Sequence, residues 1–113
     1  KSYAITMIDT EGGNGLGSVH WVAYDIPLTK TSFAEGEATK AAAGWTAGSN
    51  GRTQVYSGPC PPAGAPHHYV ITIIATDLEP GTIKPGLTRD ELIPVLRGHA
   101  LAASGLVARY SRP

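Results

Sequence analysis

The sequence has little cysteine and no excess charge of either sign. Cys60 is the only cysteine, so no disulfide can form within the chain. Nine Lys and Arg balance nine Asp and Glu, which disfavours nucleic acid or an acidic membrane as a partner. No run approaches the about 20 apolar residues that span a bilayer, and residues 1–9 lack the basic head and apolar run of a signal peptide. These absences predict a soluble protein in which any recognition of an anion is local. They leave the compartment open between the cytoplasm and a periplasmic or secreted location.

The length of 113 residues suits a single domain, which we place over residues 1–113. Its 14 glycines and nine prolines are interspersed with alternating apolar runs, which indicates a mainly β fold with many turns. These runs predict four strands, at 2–8, 19–26, 69–76 and 104–110. The run at 69–76 is apolar on both faces and is expected to be central, whereas the first strand would be an exposed edge unless another segment pairs with it.

Alternation along the second run has a direct consequence for its side chains. It predicts that His20, Val22, Tyr24 and Ile26 share one face of the strand. Residues 28–52, which are mixed and rich in small side chains, are expected to be an irregular connection with a short helical turn near 39–43.

The clearest helix signal is a capping box formed by Thr88 and Glu91. It predicts a helix over 89–101 that is kinked at Pro94, where a backbone hydrogen bond is lost. His99 would then lie on this helix in a packing or surface role.

A proline-rich segment, 58–66, precedes the central strand. Its four prolines fix the backbone and remove donors, so it can be neither a helix nor an inner strand. It is expected to be a rigid loop that delivers His67, His68 and Tyr69 to the start of the strand.

Polar groups accumulate at the strand ends: Asp9 follows the first strand, His20 begins the second, and His67 and Tyr69 begin the third. A carboxylate beside an imidazole favours the charged form of the imidazole, and such a pocket can accept a phosphate or a carboxylate. Taken singly, each histidine could equally be a half-exposed surface residue or a satisfied core group.

Other chemistries have weaker support in the sequence. Metal binding by Asp9, His20, His67 and His68 matches no standard zinc spacing. Cys60 with His67 has no sign of an activated thiol or an oxyanion site, so we expect no catalytic residues. The glycine-rich stretch 12–17 lacks the lysine of a phosphate-binding loop and is interpreted as a flexible turn.

Two ordered motifs resemble the phosphatidylethanolamine-binding protein family, and in particular its bacterial, Raf-kinase-inhibitor-like branch. The family's DPDAP-type sequence, followed by an HW-containing strand that leads to NIP, corresponds to residues 9–13, 20–21 and 25–27. Its GPxPPxG loop followed by HRY corresponds to 58–64 and 67–69, and the closing stretches 98–101 and 106–110 are also similar to the bacterial branch.

This resemblance implies a Greek-key β-sandwich with one or two peripheral helices, of which this chain lacks the N-terminal strands. The implied ligand-binding residues are Asp9, His20, Gly58, His67 and Tyr69, with no metal and no cofactor. The implied function is non-catalytic binding of a phospholipid head group or another small anion. The alternative is an interaction protein that regulates a kinase or a protease by docking.

The sequence also departs from the family pattern. Thr10 and Gly13 replace both prolines of DPDAP, which predicts a looser pocket wall, and Glu11 stands at its second Asp. His68 replaces an arginine, which removes a permanent charge and a bidentate donor. An N-terminal segment, lost, cleaved or present as a separate chain, is expected to pair with the first strand, and its cysteine could pair with Cys60. A homodimer is also left open.

Overall fold

The computed structural model describes residues 1–61 and 63–111 and places five strands in one antiparallel sheet. The elements are β1 (Ser2–Asp9), β2 (Ser18–Pro27), a 3₁₀ turn at Glu37–Thr39, β3 (Thr46–Ala47), β4 (His67–Thr76), α1 (Arg89–Leu96) and β5 (Ala100–Tyr110). The strand order is β3-β2-β1-β4-β5. The mainly β fold with a helix at its side is therefore confirmed, while the described residues form one sheet and not both sheets of a sandwich.

The position of β1 corrects one expectation. β1 pairs with β2 on one side and with β4 on the other, so it lies inside the sheet and is not an exposed edge. β4 is central, as its apolar sequence predicted, because it lies between β1 and β5. A partner is therefore not needed to pair with the first strand.

Two irregularities in the pairing of β1 with β2 break the simple alternation of β2. The register shifts between Tyr3 and Ile5 and again between Met7 and Ile8, so β2 carries an extra residue at each place. The prediction that His20, Val22, Tyr24 and Ile26 share one face is consequently wrong: Val22 and Tyr24 join one core cluster, and Ile26 joins another.

Helix α1 begins as predicted and ends early. The Thr88 side chain accepts from the Glu91 N–H at 3.3 Å, and the Thr88 N–H donates to the Glu91 carboxylate at 3.0 Å. The helix ends at Leu96 instead of residue 101, because Arg97 is extended and Gly98 adopts a φ of 84°, in the left-handed region.

His99 therefore lies beyond the helix, where its Nδ1 is 2.7 Å from Oδ1 of Asp77 on the surface. The short helical turn expected at 39–43 lies at Glu37–Thr39. Within residues 1–61 and 63–111, no helix has the length and apolar character needed to cross a membrane.

The sheet has two unlike faces. The covered face packs against α1 and the loop before it, and its buried core consists of Ala4, Val22, Tyr24, Ile83, Leu87, Leu92 and Leu96. The site face packs against the connection that follows β2, and its buried core consists of Ile5, Ala23, Ile26 and Trp45. The connection that follows β2 does not extend over β5, and every residue of β5 is exposed.

Candidate functional site

A cavity of about 420 Å³ lies on the site face, at the end of the sheet where β1 finishes and β4 begins. We call it the cup. Side chains and backbone from β1, β2, β4, the 10–18 loop and the 48–61 loop form its wall, and the residues important here are Asp9, Gly12, His20, Arg52, Gly58 and His67.

Asp9 is the anchor of the cup and is only 4% exposed. Its Oδ1 accepts from the N–H of Glu11 at 3.0 Å and from the N–H of Gly12 at 3.1 Å, a turn that the short Asp side chain favours. A Cβ on Gly12 would lie 2.6 Å from Cβ of Ser18 and 3.2 Å from Oδ2 of Asp9. The close approach of loop and strand thus requires glycine at position 12, a constraint that the interpretation of 12–17 as a flexible turn missed.

His67 is fixed by the same aspartate. Its Nδ1 is 2.7 Å from Oδ2 of Asp9, and since a carboxylate oxygen accepts, Nδ1 carries the proton. The pairing follows from the register, because Asp9 lies opposite Tyr69 and His67 lies two residues away on the same face. The other ring nitrogen, Nε2, makes no hydrogen bond to the described residues.

His20 is fixed in the same manner by the opposite wall. Its Nδ1 is 2.7 Å from the carbonyl oxygen of Ser57, so Nδ1 is again the donor and Nε2 makes no hydrogen bond to the described part of the chain. The second register shift of β2 leaves His20 as the extra residue between Trp21 and Val19. A bulge of this kind re-aims a side chain, and here it gives His20 a place in the cup.

The remaining predicted site residues have different positions. Gly58 lies in the wall of the cup, where an added Cβ would meet only the Tyr56 ring at 3.9 Å, so packing does not demand glycine. Tyr69 is fully buried behind the cup, with its ring 5.3 Å from the His20 ring in an edge-on arrangement. Its role in ligand binding stays a prediction.

Glu11, which also lines the cup, forms a second acid–imidazole pair with His68. The carboxylate accepts from the His68 N–H at 2.8 Å and contacts the His68 ring nitrogen Nδ1. Hydrogen bonds from the His68 backbone and side chain lower the pKa of Glu11 to about 2. The pair therefore fastens the 10–17 loop to the start of β4.

Arg52 is the residue that sequence reasoning missed. It lies in the wall of the cup, contributed by the 48–61 loop. Its backbone N–H donates to Oδ1 of Asn50 at 3.0 Å, and Asn50 also donates to the carbonyl of Val55, so the loop is fixed locally. No motif marks Arg52 in the sequence, yet it supplies a permanent positive charge to the cup.

Cys60 also lines the cup, as an exposed free thiol. Pro62, which belongs to the predicted rigid loop, lies outside the described residues, as do residues 112–113 of the predicted domain.

A cation could also be considered at this site. Asp9, Glu11 and His67 each offer a ligand atom, and these atoms lie within 4.8 Å of one another. However, both carboxylates already accept hydrogen bonds from backbone N–H groups and imidazoles. Both carboxylates line the cup, and both are already engaged with donors of the protein.

Comparison with known proteins points to one family. The sequence profile of the phosphatidylethanolamine-binding protein family matches residues 1–111. A UPF0098 protein of Methanothermobacter thermautotrophicus is 30% identical over 115 residues, which cover 99% of this chain and 74% of that protein. The UPF0098 protein YbhB of Escherichia coli is 27% identical, and the alignment covers 98% of this chain and 73% of YbhB.

Solved structures show the same fold. The crystal structure of a putative phosphatidylethanolamine-binding protein homologue from Chlamydia trachomatis matches with a TM-score of 0.85 at 26% identity, covering all of this chain and 73% of that one. Escherichia coli YbcL, described as a new member of the mammalian PEBP family, matches with a TM-score of 0.80 at 27% identity and the same coverage. This chain belongs to the phosphatidylethanolamine-binding protein family.

Proposed function

We propose that the chain binds a small anion, such as the phosphate of a phospholipid head group, in the cup and that it does so without catalysis. The observation that carries this proposal is the matched orientation of His20 and His67. Each ring uses Nδ1 on a protein oxygen at 2.7 Å, which leaves both Nε2 atoms for a ligand in one cavity.

Charge supports an anion as the ligand. When an imidazole is protonated, its Nε2–H is a charged donor, and hydrogen bonds with a charged partner are about twice as strong as neutral ones. Arg52 adds a charge that does not depend on pH, and its guanidinium suits the oxygens of a phosphate. Asp9 acts as a positioning residue, because it fixes the His67 ring while the backbone donors of the loop occupy its other oxygen.

The hydrogen bonds also favour binding over chemistry. Nucleophilic catalysis requires a hydroxyl or thiol held by a base. Among the described residues, the imidazoles bond to carboxylates or to a backbone carbonyl, and none bonds to a Ser, Thr or Cys side chain.

The proposal is tested by calorimetric titration with sulfate at pH 5.5 and pH 8. Phosphate gains negative charge over this range, because its second pKa is about 6. Sulfate keeps its charge, so a change in its affinity reports the protein alone. We expect sulfate to bind more tightly at pH 5.5, because an imidazolium donates a charged hydrogen bond to sulfate, whereas a neutral imidazole donates a weaker one. Phosphoethanolamine then tests the head group.

A matched pair of variants identifies the site. His67→Ala removes an imidazole that is bonded to an aspartate in the cup and should weaken sulfate binding about tenfold or more. His99→Ala removes an imidazole bonded to Asp77 at the same 2.7 Å, but on the surface, and should leave the affinity unchanged. If the two variants bind alike, or if sulfate does not bind, the cup is not an anion site and regulation of a kinase or protease by docking becomes the better proposal.

A further inference from the structure

A second cavity, of about 350 Å³, lies beside the cup on the site face. We call it the apolar pocket. Its wall is mainly aromatic and aliphatic and includes Met7, Trp21, Tyr56, Tyr69, Ile71 and Tyr110. A cavity of this size and character is typical of a site for a small organic group.

The apolar pocket and the cup share four segments of the chain. β1 contributes Asp9 to the cup and Met7 to the pocket, and β4 contributes His67 to the cup and Tyr69 to the pocket. β2 and the 56–61 loop likewise supply neighbouring residues to both. Asp9 and Met7 lie two residues apart on the same face of one strand, so these two wall residues are about 7 Å apart along the sheet.

Two residues of the pocket wall each carry a buried polar atom that lacks a partner among the described residues. The Tyr69 hydroxyl and the Trp21 indole nitrogen are buried and make no hydrogen bond to any described residue. Tyr69 is fully buried, and in most proteins a buried hydroxyl of this kind is satisfied. Both atoms can donate a hydrogen bond, so a small shift of either ring toward the cavity would offer an unused donor to an acceptor on a ligand.

We infer that the ligand of the cup carries an aromatic group with a hydrogen-bond acceptor, which occupies the apolar pocket. This inference rests on the proposed function, because the anion of the ligand is held in the cup. It assigns the ligand to the aryl phosphates and related aryl-bearing anions, which form a narrower class than the small anions of the proposed function.

The aromatic preference follows from the wall itself. Trp21 already packs edge-on against Tyr56, with ring centroids 5.9 Å apart, and against Phe33 and Trp45. This cluster fixes the Trp21 ring, and rigid aromatic walls favour edge-on or offset contact with a further ring over contact with a flexible chain. The hydroxyl of Tyr69 then discriminates among aromatic groups by their acceptor atoms.

The test compares four phosphate monoesters by calorimetry at pH 5.5: methyl, n-hexyl, 1-naphthyl and 5-quinolinyl phosphate. Methyl phosphate measures the cup alone, and the other three measure the pocket with an aliphatic chain, an aromatic ring, and an aromatic ring that carries an acceptor. We expect naphthyl phosphate to bind about tenfold more tightly than methyl phosphate, with quinolinyl phosphate tighter still.

Two variants of β5 locate the effect. Ala108 lines the apolar pocket opposite Tyr69, so Ala108→Leu fills the pocket without touching the cup. Ala102→Leu adds the same atoms to the same face of the exposed strand, opposite Ala75 and outside the pocket. Ala108→Leu should reduce the preference for naphthyl over methyl phosphate to less than about threefold, while Ala102→Leu should retain it. Tyr69→Phe should remove the preference for quinolinyl over naphthyl phosphate.

The outcomes separate this inference from the proposed function. If no ester binds, the proposed function fails and the inference fails with it. If methyl phosphate binds and naphthyl phosphate binds no more tightly, the cup stands and the inference is overturned. Equal binding of hexyl and naphthyl phosphate overturns the assignment of an aromatic group to the ligand. If Ala108→Leu and Ala102→Leu reduce the preference for naphthyl over methyl phosphate equally, the aromatic group does not occupy the apolar pocket.

Discussion

Each face of the sheet completely buries one tyrosine, but only one of the two hydroxyl groups has a hydrogen-bond partner among the described residues. On the covered face, Tyr24 donates to the carbonyl of Lys84 at 2.7 Å and accepts from the Leu87 N–H at 3.1 Å. On the site face, the Tyr69 hydroxyl has no partner among the described residues. A buried polar group without a partner costs free energy, and such groups are tolerated where a ligand supplies the bond.

The same contrast extends to the surroundings of the two tyrosines. The covered face is closed by α1 and by the loop before it, which carry Leu92 and Leu96 into the core. The site face contains both the cup and the apolar pocket. The covered face mainly stabilises the fold, and we propose that the site face keeps its space and its donors for a ligand.

The largest expected effect is on the covered face. Leu92 is fully buried, and Leu92→Ala should lower the free energy of unfolding by about 2–5 kcal/mol because it leaves a cavity in the core. Urea denaturation measures this loss. Val95→Ala, on the exposed side of the same helix, should cost about 0.5 kcal/mol. If Leu92→Ala also changed sulfate affinity by more than about twofold, the claim that the covered face stabilises the fold while the site face binds the ligand would be wrong.

Removal of each tyrosine hydroxyl compares the faces directly. Tyr24→Phe leaves the carbonyl of Lys84 and the N–H of Leu87 without their partner and should cost about 1–3 kcal/mol. Tyr69→Phe removes a buried hydroxyl with no partner in the described chain, so it should cost no stability and should raise the free energy of unfolding by about 1 kcal/mol. Equal losses in urea denaturation would show that the Tyr69 hydroxyl has a structural partner after all.

A smaller effect is expected at Asp25, a buried aspartate of the covered face whose carboxylate has an oxygen without a hydrogen-bond partner among the described residues. Its Oδ2 accepts from the Ile83 N–H at 3.1 Å, but Oδ1 is buried without a partner in the described residues. Burial raises the pKa of Asp25 above its usual 3.8. As the pH rises above about 3.8, the unfolded chain loses this proton before the folded protein does, so the aspartate increasingly destabilises the fold.

Asp25→Asn should therefore raise the melting temperature at pH 7 by about 3 °C. Asparagine keeps an acceptor for Ile83 and tolerates the φ of 52° at this position. The gain should shrink as the pH is lowered toward 4, where the folded aspartate becomes protonated. Glu35→Gln, at an exposed site, is the control, and an Asp25→Asn gain that does not depend on pH would argue against a buried charge as its cause.

Much of the fold follows from local sequence, because strands and caps are local features. The central position of β4 and the capping box of α1 were both predictable. The bulges in β2 were not, since two strands must be aligned before an extra residue becomes visible, and for that reason the face of His20 was misassigned.

The site was predictable in part. Motif resemblance drew attention to Asp9, His20, Gly58 and His67, and the structure places all four in one cavity. Arg52 and the tight contact at Gly12 depend on how distant loops meet, which no local pattern reveals. Tyr69 was assigned to the ligand pocket, whereas its ring lies behind the cup and in the wall of the second cavity.

The central claim, that His20 and His67 together receive an anion, is tested most directly by NMR of the four histidine side chains during a sulfate titration at pH 5.5. We predict that the imidazole signals of His20 and His67 move together and saturate at the same sulfate concentration, while those of His99, whose ring is paired with Asp77 on the surface, remain in place. Movement of His99 equal to that of His20 and His67, or a lack of movement at His20 and His67, would contradict the account.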